Sequence, residues 1–130
     1  KIYVIGGWNG EKGLDVNEVY IPGRDAVGEK AWETEIILQQ PGLPLAVESF
    51  AEMIFVVGEE RLFQYSIQDK SWNILWESEQ LQGGNIGVSS SGGYFFIIGG
   101  EDRGGIPIKR NLRYQVVFTT LLPQIFSDQN

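Results

Sequence analysis

There is no cysteine and no histidine among the 130 residues. The first absence excludes a disulfide framework, a thiolate metal site and a thiol nucleophile. The second removes the commonest general base and the commonest metal ligand. Basic residues are scarce as well. Ten Lys and Arg stand against 17 Asp and Glu, for a net charge of −7. The one adjacent basic pair, Lys109–Arg110, is too little for a polyanion stripe, so nucleic acid is not expected as a partner. Long apolar runs are missing too. The longest candidate, Tyr94–Ile98, falls far short of the roughly 20 residues that cross a bilayer as a helix, and membrane insertion is not expected. No signal peptide is visible and the first residue is not Met. The chain opens inside an apolar stretch, "KIYVIGG", which suggests a processed or truncated chain. The lack of cysteine is compatible with an exported protein, a lean toward an extracytoplasmic location.

What is abundant is glycine and aromatic surface. Seventeen glycines are about twice the ordinary ~7%. Glycine at that density calls for many tight turns, and so for many short strands. Seven Phe, five Tyr and four Trp supply a core.

The strands repeat. "IYVIGG" at Ile2–Gly7, "IFVVGE" at Ile54–Glu59 and "FFIIGG" at Phe95–Gly100 each have four apolar residues, then glycine, then glycine or glutamate. Their starts lie 52 and 41 residues apart, the spacing of four-stranded propeller units. After each glycine come a polar turn and a strand with a tyrosine, Tyr20, Tyr65 or Tyr114. In the first two units a second turn and a tryptophan follow, Trp32 or Trp72. The insertion "PGRDAVGEK" lengthens that turn in the first unit. Small-residue segments, Leu43–Phe50 and Gly84–Ser90, precede the second and third glycine strands. Four strand types result: a (small residues), b (apolar, ending in glycine), c (with Tyr) and d (starting at Trp). The b strands are apolar throughout, so burial of both their faces is expected. Helix finds little support. The run "WESEQLQ" reads as the end of a d strand and a loop with a turn of 3₁₀ helix.

Apolar strand, paired glycine, tyrosine and tryptophan at this spacing resemble the kelch repeat. The likeness rests on Gly6–Gly7, Tyr20 and Trp32, on Gly58, Tyr65 and Trp72, and on Gly99–Gly100 with Tyr114. The second unit departs from it in having Glu59 for its second glycine, and the third lacks the tryptophan. The resemblance implies an all-β fold of kelch-like β-propeller blades, about two and a half of them, each four-stranded and antiparallel. As one propeller portion the chain divides into blade parts at about 1–40, 41–80 and 81–122, with a tail at 123–130. So few blades cannot close a ring, and open blade faces would expose apolar surface. Two solutions offer themselves: the chain is the C-terminal portion of a longer propeller, the one favoured by its start in mid-blade, or copies of it assemble into a ring. "RYQVVFTTLLPQI" is a c strand able to run on into a closing strand, or Pro123 ends the sheet.

The resemblance also implies that the b–c loops share one face and help bind partners. The candidates are Trp8, Asn9, Glu11 and Lys12 in the first loop, Glu59, Glu60 and Arg61 in the second, and Glu101, Asp102 and Arg103 in the third. Trp8 beside Asn9 is a plausible anchor, since Trp and Arg are enriched in binding hot spots. The plainer reading is a set of solvated turns with Trp8 folded back on its own blade. The glycine pairs lack the Gly-x-Gly-x-x-Gly spacing of a phosphate loop and fit strand-end turns with positive φ. The repeated tyrosines and tryptophans fit packing between blades better than ligand stacking, and Trp76 fits packing on a sheet face. "SIQDKSW" faintly resembles the Asp-box turn of sialidase-like propellers, with Lys70 where glycine is usual. No catalytic residue, metal site or cofactor is expected: a galactose-oxidase-type copper site would need Cys and His, no D-x-D-x-D-G calcium loop is present, and nothing selects an acid–base pair among the carboxylates. The expectation is a non-enzymatic interaction scaffold for a protein partner, with a carbohydrate-binding or carbohydrate-active propeller as the alternative.

Overall fold

The structure, a computed structural model, describes residues 1–38 and 45–116. Ten strands form three antiparallel sheets. The first holds β1 (Ile2–Ile5), β2 (Asn17–Tyr20) and β3 (Trp32–Thr34) in that order. The second is a four-stranded meander of β4 (Ala46–Phe50), β5 (Met53–Gly58), β6 (Arg61–Ser66) and β7 (Ser71–Glu77). The third orders β8 (Gly87–Ser91), β9 (Tyr94–Ile98) and β10 (Asn111–Gln115) with β9 in the middle. The glycine-ended segments are thus separate strands of separate sheets, as the repeat requires. Part of the expected Leu43–Phe50 strand, and the tail from residue 117 onward, for which a closing strand or a sheet end at Pro123 is expected, lie outside the described residues.

Register fixes which side chains share a face. Ile54 pairs with Tyr65, Val56 with Phe63 and Val57 with Leu62. Because side chains alternate along a strand, Ile54, Val56, Phe63 and Tyr65 point to one neighbour, and Phe55, Val57 and Leu62 to the other. The first group packs with Leu38, Tyr3 and Ile5 of the first unit. The second packs with Phe95 and Ile97 of the third, together with Leu81 and Ile86 from the link between them. The core is therefore two apolar layers, one in each gap between sheets. The innermost strands are also tied: Glu48 Oε1 accepts from the backbone N–H and the hydroxyl of Ser90, at 3.1 and 2.8 Å.

Burial of both faces holds for β5 alone among the three b strands. Ile2 and Val4 of β1 and Ile98 of β9 are exposed. The reason is positional: among the described residues, no sheet stands on the outer side of the first or the third. A second departure is a one-turn helix α1, Pro22–Asp25, inside the insertion. Pro22 sits in its first turn, where a missing N–H costs nothing, and Asp25 is held by Tyr20 Oη at 2.7 Å. The 3₁₀ turn after the second d strand forms at Glu79–Leu81, capped by the Ser78 hydroxyl, which accepts from Gln80 N at 3.2 Å.

The glycine pairs do adopt positive φ. Gly6 and Gly99 have φ of 65° and 64°, and Gly7 and Gly100 have 114° and 98°. In the second unit Gly58 pairs directly with Arg61, so the loop shrinks to Glu59–Glu60. The left-handed residue there is Glu60, with φ 65°.

Candidate partner-binding face

A meander of antiparallel strands puts its b–c loops and d–a links at one end of the sheets, and its a–b and c–d turns at the other. The ten loop candidates therefore share an end, but they do not form one cluster. In the first loop the Asn9 side chain accepts from the backbone N–H of Glu11 at 3.0 Å and of Lys12 at 2.9 Å. That local turn leaves Trp8 56% exposed, so Trp8 is not folded back on its own sheet. Arg61 turns away from the loops and pairs with Glu77 of β7 at 2.7 Å.

The second and third loops converge. Arg103 donates to Glu59 Oε1 through Nη2 at 2.7 Å and through Nε at 3.0 Å, and to Glu60 Oε1 at 3.2 Å. Glu60 Oε1 also accepts from Gln82 Nε2 at 2.6 Å. One guanidinium thus braces two adjacent b–c loops and, through Glu60, the d–a link. The third loop is stiffened from within, because Asp102 Oδ1 accepts from the backbone N–H of Gly104 at 2.8 Å and of Ile106 at 2.9 Å. Glu101 is drawn to the link: its backbone exchanges two hydrogen bonds with Gly84, and its carboxylate accepts from Asn85 Nδ2 at 2.6 Å.

Arg110 and the d–a link Glu79–Gln82 are functional candidates that the sequence reading did not single out. Arg110 is only 8% exposed. Its Nη2 donates to the Gln82 carbonyl, while Nη1 is buried without a partner among the described residues. Burial lowers its pKa below the ordinary guanidinium range, since a guanidinium is costly to desolvate. Between link and loop lies a cavity of about 350 Å³ lined by Glu79, Gln80, Gln82, Asp102, Arg103 and Arg110 among others. A signal existed in the sequence: a basic pair directly before a c strand, opposite a polar link. Only the fold makes them neighbours.

The repeated aromatics divide in the same way. Tyr65 is fully buried and its hydroxyl donates to Glu35 Oε2 of the first unit at 2.9 Å. Trp72 Nε1 donates to the Ile36 carbonyl at 2.8 Å. One sheet further on, Tyr114 Oη donates to the Leu75 carbonyl at 3.2 Å and its ring stacks on Trp76, with centroids 6.1 Å apart. The tyrosine of each of these sheets therefore reaches back to the sheet before it, as structural packing requires. Tyr20 and Trp32 instead form a pair on the open flank of the first sheet, with Trp32 47% exposed.

Glu35 is a second residue missed by pattern. Its side chain is 3% exposed and also pairs with Lys70 Nζ at 3.1 Å. Lys70 has φ 51°, in the hairpin where Ser66 and Asp69 bond each other. A non-glycine residue with positive φ is uncommon, and the Lys70 side chain reaches from this turn to the Glu35 carboxylate. Burial first, and then the Glu35 carboxylate, push the Tyr65 phenol well above its ordinary pKa of 10.0. The folded state therefore favours the neutral phenol. The stabilisation is fully present below about pH 10 and is lost as pH rises beyond it, because only the unfolded chain then ionises freely. Urea midpoints measured from about pH 8 to about pH 11 are expected to fall above pH 10, with a shallower fall in Tyr65→Phe. An unchanged slope in that variant would contradict this account of the contact.

Stacked antiparallel sheets of this strand order, with braced loops at one end, are those of a β-propeller repeat protein. Residues 1–32 match the family model described as the Kelch motif. The strand order of that matched stretch is repeated in the next two sheets, which supports a kelch-repeat fragment. Kelch repeats generally mediate protein–protein interaction. No curated protein matches the chain.

Proposed function

We propose that the chain is a non-enzymatic recognition module that binds a protein partner through its b–c loops and d–a links. The observation that carries this reading is the Arg103 brace. It ties two loops and a link together at the edge of a cavity, and loops already held together bind at lower entropic cost. Exposed Trp8 on the first loop adds an anchor of the residue type enriched in hot spots. The same brace argues against catalysis by carboxylates, because Glu59 and Glu60 are both engaged by one guanidinium.

The test is selection from a displayed peptide library on the immobilised chain, followed by affinity measurement with loop variants. Arg103→Ala and Glu59→Ala are expected to weaken selected peptides by about tenfold or more. Asp69→Ala, at the opposite end, should leave binding unchanged. A glycan array serves as the counter-screen. Glycan binding without peptide binders would replace this reading by the carbohydrate one, and loss of binding in Asp69→Ala would move the site to the other end.

A further inference from the structure

Asn9 is followed by Gly10, and no other asparagine of the chain precedes a glycine. The geometry of the first b–c loop sets this step apart further. Asn9 Oδ1 is held by two donors, the backbone N–H groups of Glu11 at 3.0 Å and Lys12 at 2.9 Å. Asn9 Nδ2 and the Gly10 N–H have no hydrogen-bond partner among the described residues. Gly10 has φ 98°, and nothing lies within 4 Å of a Cβ built on it. The loop is closed by its own bonds: the Trp8–Gly13 bridge, and Leu14 N to the Gly7 carbonyl at 2.9 Å. The other described asparagines are placed differently. Asn17, Asn73 and Asn111 lie in strands, and Asn17 is fully buried, with Nδ2 donating to the Ile36 carbonyl at 3.2 Å. Asn85 Nδ2 donates to Glu101. Each of these four is followed by a bulky residue, Glu18, Ile74, Leu112 or Ile86.

We propose that Asn9 is a self-modification site, at which the Gly10 backbone nitrogen converts the side-chain amide into an isoaspartyl or aspartyl carboxylate. The Gly10 nitrogen gives up its proton and bonds to Asn9 Cγ. The Cγ–Nδ2 bond breaks, Nδ2 leaves with that proton as ammonia, and a five-membered succinimide remains. Water then opens the ring. Addition at Cγ breaks the bond just formed and gives aspartate. Addition at the main-chain carbonyl carbon of Asn9 breaks its bond to Gly10, so the chain runs on through Cγ, and gives isoaspartate. One water is consumed and one ammonia released, with no oxidant or cofactor. Two features favour the first step. Negative charge develops on Oδ1, at which two N–H groups already point, and donors fixed in advance around a developing oxyanion lower its barrier. Gly10 has no Cβ to crowd its nitrogen and wide freedom to rotate toward Cγ. The products differ in what they do to the loop. Aspartate keeps an acceptor in place of Oδ1, and its charge strengthens both bonds. Isoaspartate adds a carbon to the main chain beside Trp8, so the two bonds are lost and Trp8 is re-aimed. The effect on partner binding rests on the reading above that Trp8 is an anchor.

The test keeps the full chain folded in oxygen-labelled water, at neutral and at mildly alkaline pH, and maps its peptides by mass. Label is expected in the peptide holding Asn9, faster at the higher pH because the attacking nitrogen must lose a proton. Isoaspartate should accompany aspartate there, and Asn17, Asn73, Asn85 and Asn111 should stay unlabelled. Gly10→Ala should slow labelling severalfold. A left-handed alanine also strains the turn, so Asn9→Gln, which can close only a six-membered ring, is the second variant and should slow it as well. Amide exchange reads the consequence: Glu11 and Lys12 should lose protection in the isoaspartyl fraction and keep it in Asn9→Asp. Absence of label at Asn9 in the folded chain overturns the proposal, because the turn then protects the amide. Aspartate without isoaspartate overturns it too, since direct hydrolysis needs no Gly10. Peptides selected on the fresh chain should bind the isoaspartyl fraction more weakly than Asn9→Asp. Equal binding, with labelling intact, would count against the Trp8 anchor and leave the chemistry standing.

Discussion

Phe95→Ala is expected to cost about 3–5 kcal/mol of folding stability, the range for emptying a buried phenylalanine site. Phe95 is fully buried, at the centre of the layer between the second and third sheets. Its ring lies 5.5 Å from that of Phe55, across the gap. Interiors are packed to crystal density, and here two sheets with fixed backbones line the hole, so it cannot close by local collapse. The neighbouring substitution Phe96→Ala is the control. Phe96 points to the opposite face and is half-buried, beside Tyr94 at 6.4 Å. Truncating it removes less buried area and opens no enclosed hole, so a cost below about 2 kcal/mol is expected. Urea denaturation measures both through the midpoint, provided the slope stays constant. Equal losses would mean that β9 does not present Phe95 to the second sheet, and the stacking would have to be redrawn.

Gly83→Ala is the second large effect. Gly83 has φ 99°, and a Cβ built on it would stand 1.8 Å from the Glu101 carbonyl oxygen and 3.2 Å from the Asp102 Cα. No side-chain rotation relieves an overlap with backbone. The third b–c loop must move, and both hydrogen bonds between Gly84 and Glu101 go with it, at 3.1 and 2.9 Å. A left-handed alanine costs about 1–2 kcal/mol and each lost bond about 0.5–1.5, so a total of about 2–5 kcal/mol is expected. Gly99→Ala separates the two contributions. Gly99 also has positive φ, 64°, but nothing lies within 4 Å of its added Cβ, so only the conformational cost of about 1–2 kcal/mol applies. Amide exchange adds a local readout, with Gly84 and Glu101 losing protection in Gly83→Ala and keeping it in Gly99→Ala. If the two variants behaved alike, the close approach of link and loop would be wrong. Because Arg103 rides on the displaced loop, Gly83→Ala should also loosen the rim that binds the proposed partner.

Much of the fold was legible because it repeats. The strand Ile54–Gly58 has no distinctive chemistry alone, but Ile2–Gly7 and Phe95–Gly100 share its pattern at blade spacing, and three copies of a weak signal make a strong one. The helix at Pro22–Asp25 was not legible, since four residues carry no periodicity and the insertion has no counterpart in the other units. Among the binding candidates, Glu59, Glu60 and Arg103 were named as loop residues. That they would be ion-paired to each other was not visible, because 43 and 44 residues separate them. The contact of Arg110 with Gln82 is hidden in the sequence for the same reason. Glu35 reads as one more surface acid after a d strand, and only the arrival of Tyr65 and Lys70 from the next sheet makes it a buried anchor.

Local units are written into the order of residues: where strands run, where glycine must turn the backbone, and which side chains alternate onto a shared face. Those properties depend on neighbours in the chain and on steric limits at each residue. Which faces are covered, which loops touch and which charges pair depends on how the sheets stack. Ile2 and Ile54 are the same residue in the same local pattern, yet one is open and the other buried. Burial and electrostatic pairing are properties of what stands opposite a side chain, and that is set by the stacking of sheets far apart in sequence.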